Sequence, residues 1–70
     1  MKRRYLVLEI NRNGWTMFSN NGSSWYHNVN MLLRRVKPIE TYMLAQDLIC
    51  KLEIIALENN SDCKYFIVEV

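Results

Sequence analysis

Seventy residues, half of them hydrophobic and with only two Gly and one Pro, suffice for one domain over residues 1–70 and leave no room for a second. Net charge is +2, yet residues 1–37 hold seven Lys/Arg against one acid and residues 38–70 hold two Lys against six acids, a balance of +6 against −4. The composition excludes a disordered tail, and the asymmetry points to an anionic partner for the first half or to two faces of opposite sign.

Met1-Lys2-Arg3-Arg4 followed by Tyr5-Leu6-Val7-Leu8 imitates a secretory start, but Glu9 ends the apolar run after four residues and no small-residue cleavage site follows, so secretion is not expected. Lys51 and Glu53 interrupt the longest apolar stretch well short of the roughly 18 residues of a membrane span. A soluble, cytoplasmic chain without a membrane partner is the expectation. Cys50 and Cys63 are a single pair, so free thiols are expected, and with His27 they fall short of a closed four-ligand zinc site. No metal or cofactor is expected.

Residues 4–10 alternate, with Leu6, Leu8 and Ile10 on one face and Tyr5, Val7 and Glu9 on the other, which predicts a strand. Asn13-Gly14 then predicts a two-residue type I′ hairpin, because both central residues of that turn need positive φ. In that register Arg12 faces Trp15, Ile10 faces Met17 and Glu9 faces Phe18, which gathers Leu6, Leu8, Ile10, Trp15 and Met17 on one side. Asn20-Asn21-Gly22-Ser23-Ser24 predicts a second turn.

Residues 25–37 admit two readings. As a strand, Trp25, His27, Val29 and Met31 alternate with Tyr26, Asn28 and Asn30; as a helix capped by Ser24, Trp25, Val29, Leu32, Leu33 and Val36 follow helical spacing up to Pro38. The weak helix formers Ser, His and Asn at the start favour the strand. From Pro38 to Glu58 the period is helical, with Leu44, Leu48, Leu52 and Ile55 as the buried stripe, widened by Ala45, Ile49 and Ala56, and Asn59-Asn60 as the stop. Lys64 to Val70 is the last strand. The fold class predicted is α+β: a small, mostly antiparallel sheet of three to four strands packed on one long helix at about 38–58.

One helix covers one face of a sheet. With the helix on Leu6, Leu8, Ile10, Phe66, Val68 and Val70, the opposite face exposes Tyr5, Val7, Glu9, Phe18, Tyr65, Ile67 and Glu69, a mixed aromatic patch suited to protein binding. The alternative site is nucleic-acid binding by Lys2, Arg3, Arg4, Arg12, Arg34, Arg35 and Lys37, which share the first half of the chain with Trp15, Trp25 and Tyr26. No catalytic set is predicted: His27 has no partner fixed by spacing, Glu9 and Glu69 have no cleft around them, and Gly14 and Gly22 sit in turns instead of a phosphate loop.

The Met1-Lys2 start running into Tyr5-Leu6-Val7-Leu8-Glu9, eight Asn, one amphipathic helix and the closing Tyr65-Phe66-Ile67-Val68-Glu69-Val70 resemble the short accessory proteins that bacteriophages encode, including anti-CRISPR and other anti-defence inhibitors. The resemblance implies a non-enzymatic protein that binds and inhibits or modulates a larger host protein, or a protein–nucleic acid complex, in the host cytoplasm. The net positive charge departs from the acidic nucleic-acid mimics among those inhibitors. Direct nucleic-acid binding and a structural homodimer formed by an edge strand or the open face are the two further expectations.

Overall fold

A computed structural model describes residues 3–70. Its elements are β1 (Tyr5–Ile10), β2 (Thr16–Ser19), α1 (Val29–Arg35), α2 (Tyr42–Glu58) and β3 (Lys64–Glu69), and the strands form one antiparallel sheet in the order β2-β1-β3. The α+β class is therefore as the sequence predicts, with two helices in place of one. Lys2, one of the predicted basic residues, lies outside the described residues.

Asn13-Gly14 turns the chain with one residue more than a type I′ loop. The Asn11 carbonyl accepts from the Gly14 N–H at 2.9 Å and the Asn11 N–H donates to the Trp15 carbonyl at 3.0 Å. Gly14 has φ +82°, whereas Asn13 has no positive φ, so the loop is a type I turn closed by a glycine bulge. The Asn11 side chain decides this, because its Oδ1 accepts from the N–H groups of both Asn13 and Trp15. The register is consequently Ile10 opposite Thr16, Glu9 opposite Met17 and Leu8 opposite Phe18, one residue away from the type I′ pairing. Such a slip exchanges the faces of β2: Met17 joins Glu9, Phe18 joins Leu8, and Trp15 stands 65% exposed at the tip instead of in the core.

After β2 the chain folds back on a fully buried serine. The Ser19 hydroxyl accepts from the Gly22 N–H at 2.8 Å, and Asn21 Oδ1 accepts from the N–H groups of Ser23 and Ser24. Tyr26 then exchanges two 2.8 Å backbone hydrogen bonds with Phe18, a single bridge along the outer side of β2. The predicted third strand shrinks to that bridge. Asn28, and not Ser24, caps the helix that follows, its side chain accepting from the Met31 N–H. The weak helix formers stay outside α1, while Leu32 within it is fully buried.

Pro38 and Glu40 precede α2 instead of opening it. Ile39 exchanges backbone bonds with Tyr5, which holds the segment extended, and Thr41 provides the cap by accepting from the Leu44 N–H. The buried seam of α2 is Ala45, Leu48, Ile49, Leu52 and Ala56, whereas Leu44 and Ile55 of the predicted stripe are exposed. The helix ends on Asn60 at φ 54°, with the Ser61 N–H donating to Ala56 and the Asn60 N–H to Leu57, a Schellman closure.

The seam rests on the face opposite to the one predicted. Val7, Ile39, Ala45 and Leu52 form the core cluster, with Tyr5, Trp25, Tyr65 and Ile67 packed against it. Both faces of β1 and β3 are apolar, so alternation leaves the choice open. The Ile39 bridge settles it, because Ile39 opposite Tyr5 points to the same side and carries α2 over Val7 and Ile67. Fully burying each large apolar side chain there contributes about 1.5–3 kcal/mol. On the other face Leu6 is fully buried, but Phe66 is 47% exposed.

Candidate interaction surfaces

The Tyr5–Tyr65 face, predicted to be open, is the floor beneath α2. Val7 is fully buried there, and the Tyr5 ring meets Tyr42 edge-on at 5.6 Å. The Tyr65 ring lies 6.4 Å from Trp25. Glu9, Ile67 and Met17 share this face in a half-buried setting, Phe18 lies on the opposite one, and only Glu69 at the rim is exposed. The patch is therefore not a docking surface as a whole.

Glu9 and Glu69 do not pair. Glu9 faces Tyr65 and Glu69 faces Tyr5, four positions along β1, which is about 13 Å at the rise of a strand. Glu69 instead reaches Arg3 at 3.6 Å. Burial, followed by the charge of Glu9, pushes the Tyr65 phenol up to about 12, and the same two causes raise the Cys63 thiol. Both groups are thus kept protonated at neutral pH, the opposite of what an activated nucleophile requires. Both cysteines are free thiols. Among the described residues no three His, Cys, Asp or Glu gather as a metal site would require. His27 is exposed, in an open groove with Asn13, Trp15 and Thr16.

The basic residues are dispersed. Arg3 and Arg4 precede β1, where the antiparallel Tyr5–Ile39 bridge sets Glu40 and Thr41 beside them. Lys37 instead lies toward β2, its carbonyl accepting from the Asn20 side chain at 2.9 Å, and Arg34 and Arg35 close α1. Arg12 lies in the hairpin loop at the far end, eight residues from Arg4 and so on the order of 25 Å away, where it pairs with Asp62 at 3.6 Å. Both ion pairs are exposed and contribute little to stability. Among the described residues the predicted cations thus do not make one patch.

No protein-family model matches the chain, and no curated protein or solved structure is significantly similar to it. The surface reading consequently rests on this chain alone.

Two surfaces other than the predicted sheet face stand open. The first is the outer face of α2, where Met43, Ile54 and Leu57 are 72%, 58% and 81% exposed and Cys50 lies between them. Positions 43, 50, 54 and 57 recur at i, i+7, i+11 and i+14, one stripe of a helix, on the side away from the seam. Asp47, Glu53 and Glu58 rim it, so the stripe is apolar with an acidic border. The seven-residue spacing of Met43, Cys50 and Leu57 was the available signal. The second is the outer edge of β3. No helix among the described residues is long and apolar enough to cross a membrane.

Proposed function

We propose that this chain is a small non-enzymatic interaction protein that binds a larger protein through the outer face of α2. The observation that carries the reading is the exposure of Met43, Ile54 and Leu57 on the side of α2 that the fold does not use. An apolar helical stripe docks in an apolar groove, and the acidic rim of Asp47, Glu53 and Glu58 complements a groove with basic borders. Basic borders are common on proteins that handle nucleic acid, which accords with the resemblance to phage accessory factors directed at host defence or nucleic-acid machinery.

The test is capture from nuclease-treated host lysate with the tagged chain and with an I54D/L57D variant whose helicity and melting are unchanged. A protein retained by the first and lost by the second is the expected result. Equal recovery by both overturns the reading.

Direct nucleic-acid binding is the second reading, supported by the balance of seven Lys/Arg against one acid in residues 1–37. It predicts an affinity that falls steeply with salt, weakened by neutralising Arg34, Arg35 and Lys37 and unchanged by R12A. No mobility shift of single- or double-stranded probes at low salt dismisses it.

A further inference from the structure

The two edges of the sheet are treated differently. Outside β2, Phe18 already exchanges both backbone hydrogen bonds with Tyr26, and Ile39 continues that side along β1 at Tyr5. Outside β3, nothing among the described residues pairs. Folded proteins blunt a free edge with proline, a bulge or a charge set within the strand, and β3 has none of these, its charges being Lys64 and Glu69 at its two ends.

The hydrogen bonds fix which groups are free. Val70 donates its N–H to the Arg4 carbonyl at 2.8 Å, and Tyr5 spends its own N–H and C=O on Ile39. Bonding direction alternates along a strand, so Lys64, Phe66 and Val68 face β1, while Tyr65, Ile67 and Glu69 present their N–H and C=O groups outward. An edge pairs antiparallel with its own copy only about a two-fold axis normal to the sheet, which keeps each face continuous. Of the registers this allows, only one engages all three outward residues: Ile67 opposite the partner's Ile67, and Tyr65 opposite the partner's Glu69. It forms six backbone hydrogen bonds, and a shift of two residues leaves an outward residue without a counterpart within β3.

We infer that the open edge of β3 is a self-association site at which a second copy of this chain pairs antiparallel, centred on Ile67, to make one six-stranded sheet. Two features of the surface fit this occupant. On the face away from α2, the half-exposed Phe66 comes opposite the partner's Val68, so the apolar surface is shared across the junction. On the other face, α2 lies over β3 and β1, so the two-fold sets the two α2 helices side by side at on the order of 10 Å, the distance at which helices pack. Between α2 and the edge runs a groove, lined among others by Tyr42, Ile49, Cys50 and Ile67 with the acids Asp47 and Glu53, which the partner's helix closes. Along the paired strands no like charges fall opposite one another, because each Lys64 faces the partner's Val70. Of the outer stripe only Cys50 borders this groove; Met43, Ile54 and Leu57 do not line it and remain free.

Light scattering across a dilution series tests the stoichiometry: the expected mass is twice 8.4 kDa at high concentration, falling toward the monomer on dilution. Amide hydrogen exchange tests the register. Phe66 and Val68 are expected to be protected at every concentration, while Tyr65, Ile67 and Glu69 exchange at least tenfold more slowly in the concentrated sample. E69P removes one outward N–H and is expected to weaken association at least tenfold, with helicity kept; E69Q controls for the lost Arg3 pair and stays dimeric. I54D/L57D also stays dimeric, which separates this inference from the α2 reading. A monomer at all concentrations overturns the proposal, as does a dimer in which Tyr65, Ile67 and Glu69 exchange freely.

Discussion

Replacing Gly22 by alanine tests how the loop between β2 and α1 supports the core. Gly22 has φ +78°, and a Cβ built on it meets Leu48 Cδ1 at 3.0 Å and Leu52 Cδ2 at 3.1 Å, two residues of the α2 seam. Gly14 has φ +82° and an open surrounding, with nothing within 4 Å of such a Cβ. The left-handed backbone costs about 1–2 kcal/mol at either site. At Gly22 the crowding of two core leucines adds about 1–3 kcal/mol of overpacking. G14A is therefore expected to lose about 1–2 kcal/mol and G22A about 2–5 kcal/mol. A domain of this size has about 3.5–10 kcal/mol in all, so the second loss is a large share of it. Urea unfolding followed by tryptophan fluorescence and by helicity measures both. If G22A costs no more than G14A, the loop does not press on Leu48 and Leu52, and the account of this side of the core is wrong.

The remaining predictions use the same readouts. N60G relieves the positive φ at the end of α2 and is expected to stabilise by about 0.5–1 kcal/mol; a loss of stability would contradict the Schellman closure. L52A, in the seam, is expected to cost about 2–5 kcal/mol, whereas L57A on the outer stripe changes stability by less than about 0.5 kcal/mol, and equal effects would refute the assignment of the two sides of α2. The Tyr65 phenol stands near 12 in the fold against an ordinary 10, so the folded state holds its proton more tightly. Its contribution is complete below about pH 10 and is lost as pH rises from there through about 12. Stability measured from pH 9 to 12 should fall with a slope that Y65F reduces, and an unchanged slope would refute the shift.

The legible part of this chain is its local chemistry. Alternation in residues 4–10 and 64–70, the helical period of α2 and the Asn59-Asn60 stop each depend on neighbours a few residues apart, and each element appears where its pattern lies. The misread parts depend on distant partners or on a choice between local ones. Asn13-Gly14 marked the turn, but the Asn11 side chain captured two N–H groups and added one residue to the loop, which is enough to exchange the faces of β2. Residues 25–37 divided between a one-residue bridge and a helix because Phe18 could receive Tyr26 and Asn28 could cap what followed.

The candidate site shows the same division. Composition placed aromatic and apolar residues on both faces of the sheet, and in that situation the pattern carries no information about which face is covered. The Tyr5–Ile39 bridge decided it by delivering α2 to the Tyr5 and Val7 side, which buried the predicted docking face and left the outer stripe of α2 in solvent. Sequence alone determined the elements, the class and the uneven charge, because those follow from side chains and their near neighbours. Only tertiary structure decided which faces meet water, because that choice rests on hydrogen bonds between residues more than thirty positions apart.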